Sequence, residues 1–115
     1  MKNFPDHFKE LTEWMEKLGL AMPEVMQGFG ILHEASIKPG ALTAKTKELI
    51  ALGIAITVRC DGCISFHVHD ALQAGASKEE VAETVSVAIL MGGGPSVAYG
   101  IEAMQALMQF QRQGV

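Results

Sequence analysis

Apolar residues recur along this chain at steps of three and four, the spacing that places them on one face of an α-helix. The clearest example is the run of Phe4, Phe8, Leu11, Met15 and Leu18. Gly19 follows this run and is a predicted stop. Strand signals are sparse, because only 6% of the residues are aromatic and no sustained alternation or Asn-Gly hairpin occurs. The pattern therefore predicts an all-α domain.

Helix boundaries can be placed from prolines, glycines and capping residues. Pro23 suits the first position of a second helix, which is expected to end before Pro39. Thr43 is a predicted N-cap for a third helix that runs to about Val58 and is so apolar in its second half that we expect burial nearly all round. The pattern then breaks, which predicts a turn near Arg59.

Three more helices follow the turn. Ser77 and Glu80 form a capping box, in which each side chain bonds to the other residue's backbone N–H, and Gly75 closes the preceding helix. A Gly-Gly-Gly-Pro break separates the last two helices. The three helices are expected over residues 63–72, 78–91 and 95–113. We therefore predict about six helices in a single domain spanning residues 1–115.

Composition and charge narrow the classes of function. The chain has 13 acidic and 9 basic side chains, a net charge of −4, and no Lys/Arg run, which argues against a nucleic-acid partner. Its longest apolar stretch, residues 49–58, is well short of the roughly 20 residues that a membrane span needs. Acids and a proline stand where a signal peptide would be apolar. We expect a soluble, cytoplasmic protein without a membrane partner.

The apolar content also bears on assembly. Apolar residues make up 49% of the chain, more than six short helices around one core are expected to bury. Large uncovered apolar surfaces favour association. The sequence therefore predicts a homo-oligomer, with the first and last helices as the expected contact surfaces.

The candidate chemistry is concentrated in the fourth helix. At about 100° per residue, Cys60, Cys63, His67 and Asp70 share one face, whereas His69 lies on the other side. Cys63 and His67 are one helical turn apart, so the imidazole can accept the thiol proton. Both cysteines lie in the first turn of the helix, where free N–H groups and the helix dipole favour a thiolate.

A carboxylate from the third helix is expected to reach the same imidazole. If the chain reverses near Arg59 and the two helices run antiparallel, Glu48 lies opposite the level of His67 and Asp70. A carboxylate there would hold His67 in one tautomer, as the third member of a catalytic triad does. Glu48, His67 and Cys63 would then form a relay.

These residues resemble a known active-site pattern. The order along the chain is Glu48, eleven residues, the Cys60-x-x-Cys63 pair, three residues and His67. This order is similar to the active site of the alkylhydroperoxidase D (AhpD)-like branch of the carboxymuconolactone decarboxylase superfamily. The similarity covers roughly residues 39–94, about half of the chain. It implies an AhpD-like helical bundle, trimers or hexamers, and thiol-dependent reduction of a hydroperoxide in antioxidant defence. The partners would be a peroxide substrate and an external dithiol reductant, with no cofactor.

The peroxidase hypothesis gives each of the two cysteines a role, with His67 and Glu48 activating them. Cys63 is expected to attack the peroxide, because His67 is one turn away, and Cys60 to resolve the sulfenic acid. One position departs from the pattern, since Gly62 stands where the best-studied form has a second histidine. Peroxidase activity would then be weaker, or the reaction different. The decarboxylase branch lacks the cysteine pair, so lactone decarboxylation is a less favoured alternative.

The sequence also allows other interpretations. The cysteine pair could sense redox state or hold a metal in a binding protein of the same fold. Zinc could use both cysteines with His67 and His69, although these two histidines lie on opposite sides of a continuous helix. Asp70 is either a partner of the site or a solvated acid. His33 is expected to be a core or interface histidine, and His7 and His69 to be surface or interface residues.

Overall fold

The computed structural model describes all 115 residues and consists of six α-helices without strands, which confirms the predicted all-α fold. None of the helices combines the length and the apolar character required to cross a membrane. The helices are α1 (Phe4–Ala21), α2 (Pro23–Ile37), α3 (Ala44–Thr57), α4 (Asp61–Gln73), α5 (Lys78–Gly92) and α6 (Gly94–Arg112).

The predicted capping residues begin the helices as expected. The Thr43 hydroxyl accepts a hydrogen bond from the backbone N–H of Thr46, 3.1 Å away, and so caps α3. Ser77 and Glu80 form both bonds of the capping box at the start of α5. Local hydrogen bonding thus fixes where these two helices start, independently of what packs against them.

The first helix is longer than predicted. The chain passes through Gly19 in helical conformation and α1 ends only at Ala21, with Met22 joining it to α2. Gly19 instead lies where α2 comes close, because a Cβ built on it would be 3.9 Å from the Cβ of Met26. That is an ordinary contact distance, so the glycine neither ends the helix nor is required by the packing of α2.

The core is formed by α3, α4, α5 and α6, to which α1 adds the fully buried Phe4. Helix α6 is central, with six buried residues, four of which are small: Ser96, Gly100, Ala103 and Ala106. Small side chains let neighbouring helices approach closely. Helix α2 is the exception, because none of its residues is buried.

Helix α3 is not buried all round, so that expectation was wrong. Ile50, Ile54 and Val58 are 48%, 58% and 62% exposed. Their spacing of four places them on one face, which lines an open groove between α3 and α5 and is not covered by either helix. Apolar content shows that a helix has more than one apolar face, but not whether a neighbour within the same chain covers each face.

The tight contact between α5 and α6 yields a stability prediction. A Cβ on Gly100 would be 2.7 Å from Cγ1 of Val85, a β-branched side chain that is 8% exposed and stiff about χ1. Overpacking of this kind costs about 1–3 kcal/mol, more than the about 0.5–1 kcal/mol that alanine adds over glycine within a helix. We expect Gly100→Ala to lower the free energy of unfolding in urea titrations at a fixed protein concentration.

Gly28→Ala is the matched control, because nothing lies within 4 Å of a Cβ at this position in α2. It should leave the protein as stable as the wild type or slightly more stable. Equal free energies of unfolding for Gly100→Ala and the wild type would contradict the close packing described here.

Candidate functional site

A tight turn brings the first cysteine to the start of α4. Arg59 has φ 62°, the left-handed region, and its N–H donates to the carbonyl of Ile56 at 3.2 Å. The N–H of Cys60 donates back to the carbonyl of Ala55 at 3.1 Å. These two bonds form a Schellman motif, which ends α3 and reverses the chain. The predicted turn is confirmed, and it makes Cys60 the N-cap of α4.

The two cysteines form a disulfide at the N-terminus of α4, with their Cα atoms 5.2 Å apart. The sulfur of Cys60 also accepts a hydrogen bond from the backbone N–H of Cys63 at 3.1 Å. Both residues are partly buried. A helix N-terminus stabilises negative charge, so a thiolate formed by reduction of this bond would be favoured here.

The carboxylate of Glu48 and the imidazole of His67 meet across the α3–α4 contact. Oε1 of Glu48 lies 2.9 Å from Nδ1 of His67, and Glu48 is only 4% exposed. The predicted proximity of these two residues is therefore confirmed. Because an ionised carboxylate only accepts hydrogen bonds, Nδ1 carries the hydrogen and Nε2 is left free to exchange a proton. His67 lies one helical turn after Cys63 on α4.

A second histidine–carboxylate pair lies further along α4. Nδ1 of His69 is 2.9 Å from Oδ1 of Asp70. The His69 ring is stacked on Phe8 of α1 with 4.1 Å between centroids, and 23% of its side chain is exposed. His69, predicted at the surface or an interface, is therefore partly covered within the chain itself, because the first helix, far away in sequence, packs over it. His33 is exposed on α2, so it is not a core histidine.

The zinc site considered from the sequence is not formed by those four residues. The two sulfurs are bonded to each other, and His67 and His69 bind different carboxylates. A different trio could hold a metal ion, since one ligand atom from each of Glu48, His67 and Asp70 lies within 4.8 Å of the others.

A charged cluster that the sequence analysis missed lies beside the cysteine pair. Asp61, between the two cysteines, binds Nζ of Lys2 at 3.1 Å, and Lys2 also pairs with Glu102 of α6. Partial burial acts to raise the pKa of Asp61, but the hydrogen bond and charge of Lys2 outweigh it and hold this pKa below its usual value. The pKa of Lys2 is raised, chiefly by its hydrogen bond to Glu102. Only the tertiary contact of the N-terminal segment with α4 and α6 reveals this cluster.

Several known proteins are similar to this chain in fold or in sequence. The pattern of the carboxymuconolactone decarboxylase family matches residues 23–106. A carboxymuconolactone decarboxylase family protein from Legionella pneumophila, solved in its apo form, is 44% identical with a TM-score of 0.90, and the match covers 93% of this chain and 96% of that one. An uncharacterised protein from Cupriavidus necator is 38% identical over 95 residues, which are 83% of this chain and 84% of its own.

A third relative carries a description of function. A Thermotoga maritima protein of the same family, with a suggested part in the antioxidative response, is 34% identical with a TM-score of 0.73. That match covers 76% of this chain and 91% of the other.

The tautomer of His67 tests the geometry of the site. Neutral His67 should carry its hydrogen on Nδ1, because Glu48 accepts it, and long-range ¹⁵N–¹H NMR of the imidazole reads this directly. Glu48→Leu should abolish the preference. Asp70→Asn is the control, since it changes the partner of His69 and not the Nδ1 partner of His67. An Nε2–H tautomer in the wild type would contradict the geometry.

Proposed function

Because the chain belongs to the carboxymuconolactone decarboxylase family, we propose that it works as one of the family's AhpD-like members, reducing hydroperoxides with the Cys60–Cys63 pair in antioxidant defence. The observation that carries the proposal is the Glu48–His67 hydrogen bond one helical turn from the Cys60–Cys63 disulfide. The antioxidative part suggested for the Thermotoga maritima relative agrees with it. The family name refers to decarboxylation, but a bonded cysteine pair supports redox chemistry instead.

The first step is attack of a thiolate on the peroxide. In the reduced protein, Nε2 of His67 accepts the proton of the Cys63 thiol, and Nδ1 stays bonded to Glu48. The thiolate bonds to one peroxide oxygen and the O–O bond breaks. Cys63 becomes a sulfenic acid, and the departing alkoxide takes the proton from the His67 imidazolium to leave as an alcohol. Two electrons have passed from sulfur to the peroxide.

The second and third steps restore the enzyme. The thiol of Cys60 attacks the sulfur of Cys63, a disulfide forms, and the hydroxide that leaves takes the Cys60 proton to become water. An external dithiol then reduces the disulfide by two exchange reactions and is itself oxidised to a disulfide. The net reaction converts hydroperoxide and dithiol into alcohol, water and an oxidised dithiol. We assign the resolving role to Cys60 because it lies at the tip of the helix.

A metal-holding role is the second candidate. It is favoured by the Glu48, His67 and Asp70 cluster, whose ligand atoms lie within 4.8 Å of one another. A metal bound there would occupy a nitrogen of His67 and compete with proton transfer. Elemental analysis of the purified protein separates the two: one equivalent of metal lost in Asp70→Asn supports this candidate, and metal-free protein with peroxide turnover removes it.

We also propose that the protein is a homo-oligomer and that α2 is a contact surface. Val25, Phe29 and Leu32 on one side of this helix are 63%, 52% and 61% exposed. A second apolar surface follows the groove of about 460 Å³ between α3 and α5, where Ile54 and Met91 are exposed. The first and last helices stay predicted contact surfaces, and α2 joins them because none of its residues is buried.

Serine substitutions test the assignment of the two cysteines. Treated with a small excess of hydrogen peroxide, Cys60→Ser should accumulate a sulfenic acid on Cys63, because the resolving thiol is missing. Cys63→Ser should form little or none. Mass spectrometry after dimedone trapping measures both. Sulfenic acid at Cys60 in Cys63→Ser, formed as fast as in the partner variant, would reverse the roles.

Charge on α2 tests the assembly. Phe29→Glu combined with Leu32→Glu should shift the mass measured by light scattering toward that of a 12.3 kDa monomer, because carboxylates would have to be buried in the contact. Gln27→Glu is the control, since Gln27 lies on the other side of α2 at about 100° per residue. A monomeric wild type, or a double variant with wild-type mass, would refute the α2 contact.

A further inference from the structure

The first helix packs against the start of α4, beside the cysteine pair. His7 of α1 points its Nε2 toward Oδ1 of Asp61 at a distance of 3.9 Å. That nitrogen is buried and has no hydrogen-bond partner, although 37% of the His7 side chain is exposed. Buried polar atoms without partners are uncommon, and they often mark a site that uses them. The placement is firm, because Phe8 stacks on His69 of α4 at 4.1 Å.

Gly62 of α4 lies against α1, with His7 beside it. A Cβ on Gly62 would be 3.8 Å from Nε2 of His7, an ordinary contact distance, and 3.1 Å from Cδ1 of Leu11. The His7 imidazole therefore lies close to the backbone between the two cysteines.

We infer that His7 tunes the redox equilibrium of the Cys60–Cys63 pair through Asp61, as a positioning residue of the site. Asp61 adjoins Cys60, so its negative charge opposes a thiolate there. Protonated His7 offsets that charge and favours the thiolate, which stabilises the reduced protein and makes the disulfide easier to reduce. Neutral His7 leaves Lys2 as the only cation bonded to Asp61. The inference rests on the proposed redox function of the pair.

Other charged groups also face His7. The cleft of about 390 Å³ between α1 and α4 contains three acidic side chains and one lysine. They are Asp6 and Glu10 of α1, Asp61 of α4 and Lys2 of the N-terminal segment, with Glu102 of α6 bound to Lys2.

Equilibration of the full-length protein with glutathione redox buffers tests the inference without any peroxide. At pH 6.5, His7→Gln should make the disulfide harder to reduce, by about two- to fivefold in the equilibrium constant. At pH 8.5 the difference should largely vanish, because histidine side chains in general lose their charge between about pH 5 and 8. His33→Gln, an exposed histidine on α2, is the matched control and should change neither value.

Asp61→Asn distinguishes a relay through Asp61 from other effects. Alone it should make the disulfide easier to reduce, and in its background His7→Gln should have little effect. An unchanged equilibrium in His7→Gln at pH 6.5 would overturn the inference. So would an effect of the same size in the Asp61→Asn background, or at both pH values. Because the readout is an equilibrium of the thiols, it stands even if peroxide turnover is absent.

Discussion

The hydrogen bond between Glu48 and His67 is the interaction on which this structure depends. A carboxylate that is 4% exposed is costly to bury unless it is paired, and the only side chain that bonds to it is the imidazole of His67. The bond joins α3 to α4 within the core of the bundle. It also occupies Nδ1 of His67 and leaves Nε2 free for the proposed proton transfer. Packing and the proposed chemistry therefore use the same contact.

The rest of the fold places two cysteines relative to that bond. The left-handed Arg59 reverses the chain sharply, so Cys60 ends one helical segment and begins the next. A non-glycine residue in this conformation costs about 1 kcal/mol, and such strain is typical of functional sites. Phe4 and Phe8 of α1 then pack onto α4 and α6, which brings the N-terminal segment to the edge of the disulfide.

The sequence predicted what depends on local spacing. The capping box at Ser77, the turn at Arg59 and the meeting of Glu48 with His67 follow from periodicity and from one antiparallel turn, and all three are present. Contacts between helices far apart in sequence could not be predicted, because the spacing within one helix does not show which other helix covers each of its faces. The exposed face at Ile54 is one such case, and the stacking of His69 under α1 is another.

The charged cluster around Asp61 shows most clearly what the sequence does not predict. Its partner Lys2 is 59 residues away in sequence, and no motif connects the two. Gly62 reads in the sequence only as a missing side chain. In the structure it lies against α1, close to the imidazole of His7. Spacing within α4 does not show which residue of a distant helix packs there.

In the proposed mechanism His67, oriented by Glu48, makes Cys63 a thiolate near neutral pH. The direct measurement is the pH dependence of iodoacetamide alkylation of Cys63 in the Cys60→Ser background, with and without His67→Gln. We expect a midpoint well below the about 8.5 of a free thiol, which rises toward that value when His67 is replaced. A midpoint near 8.5 that is the same with and without His67 would contradict it.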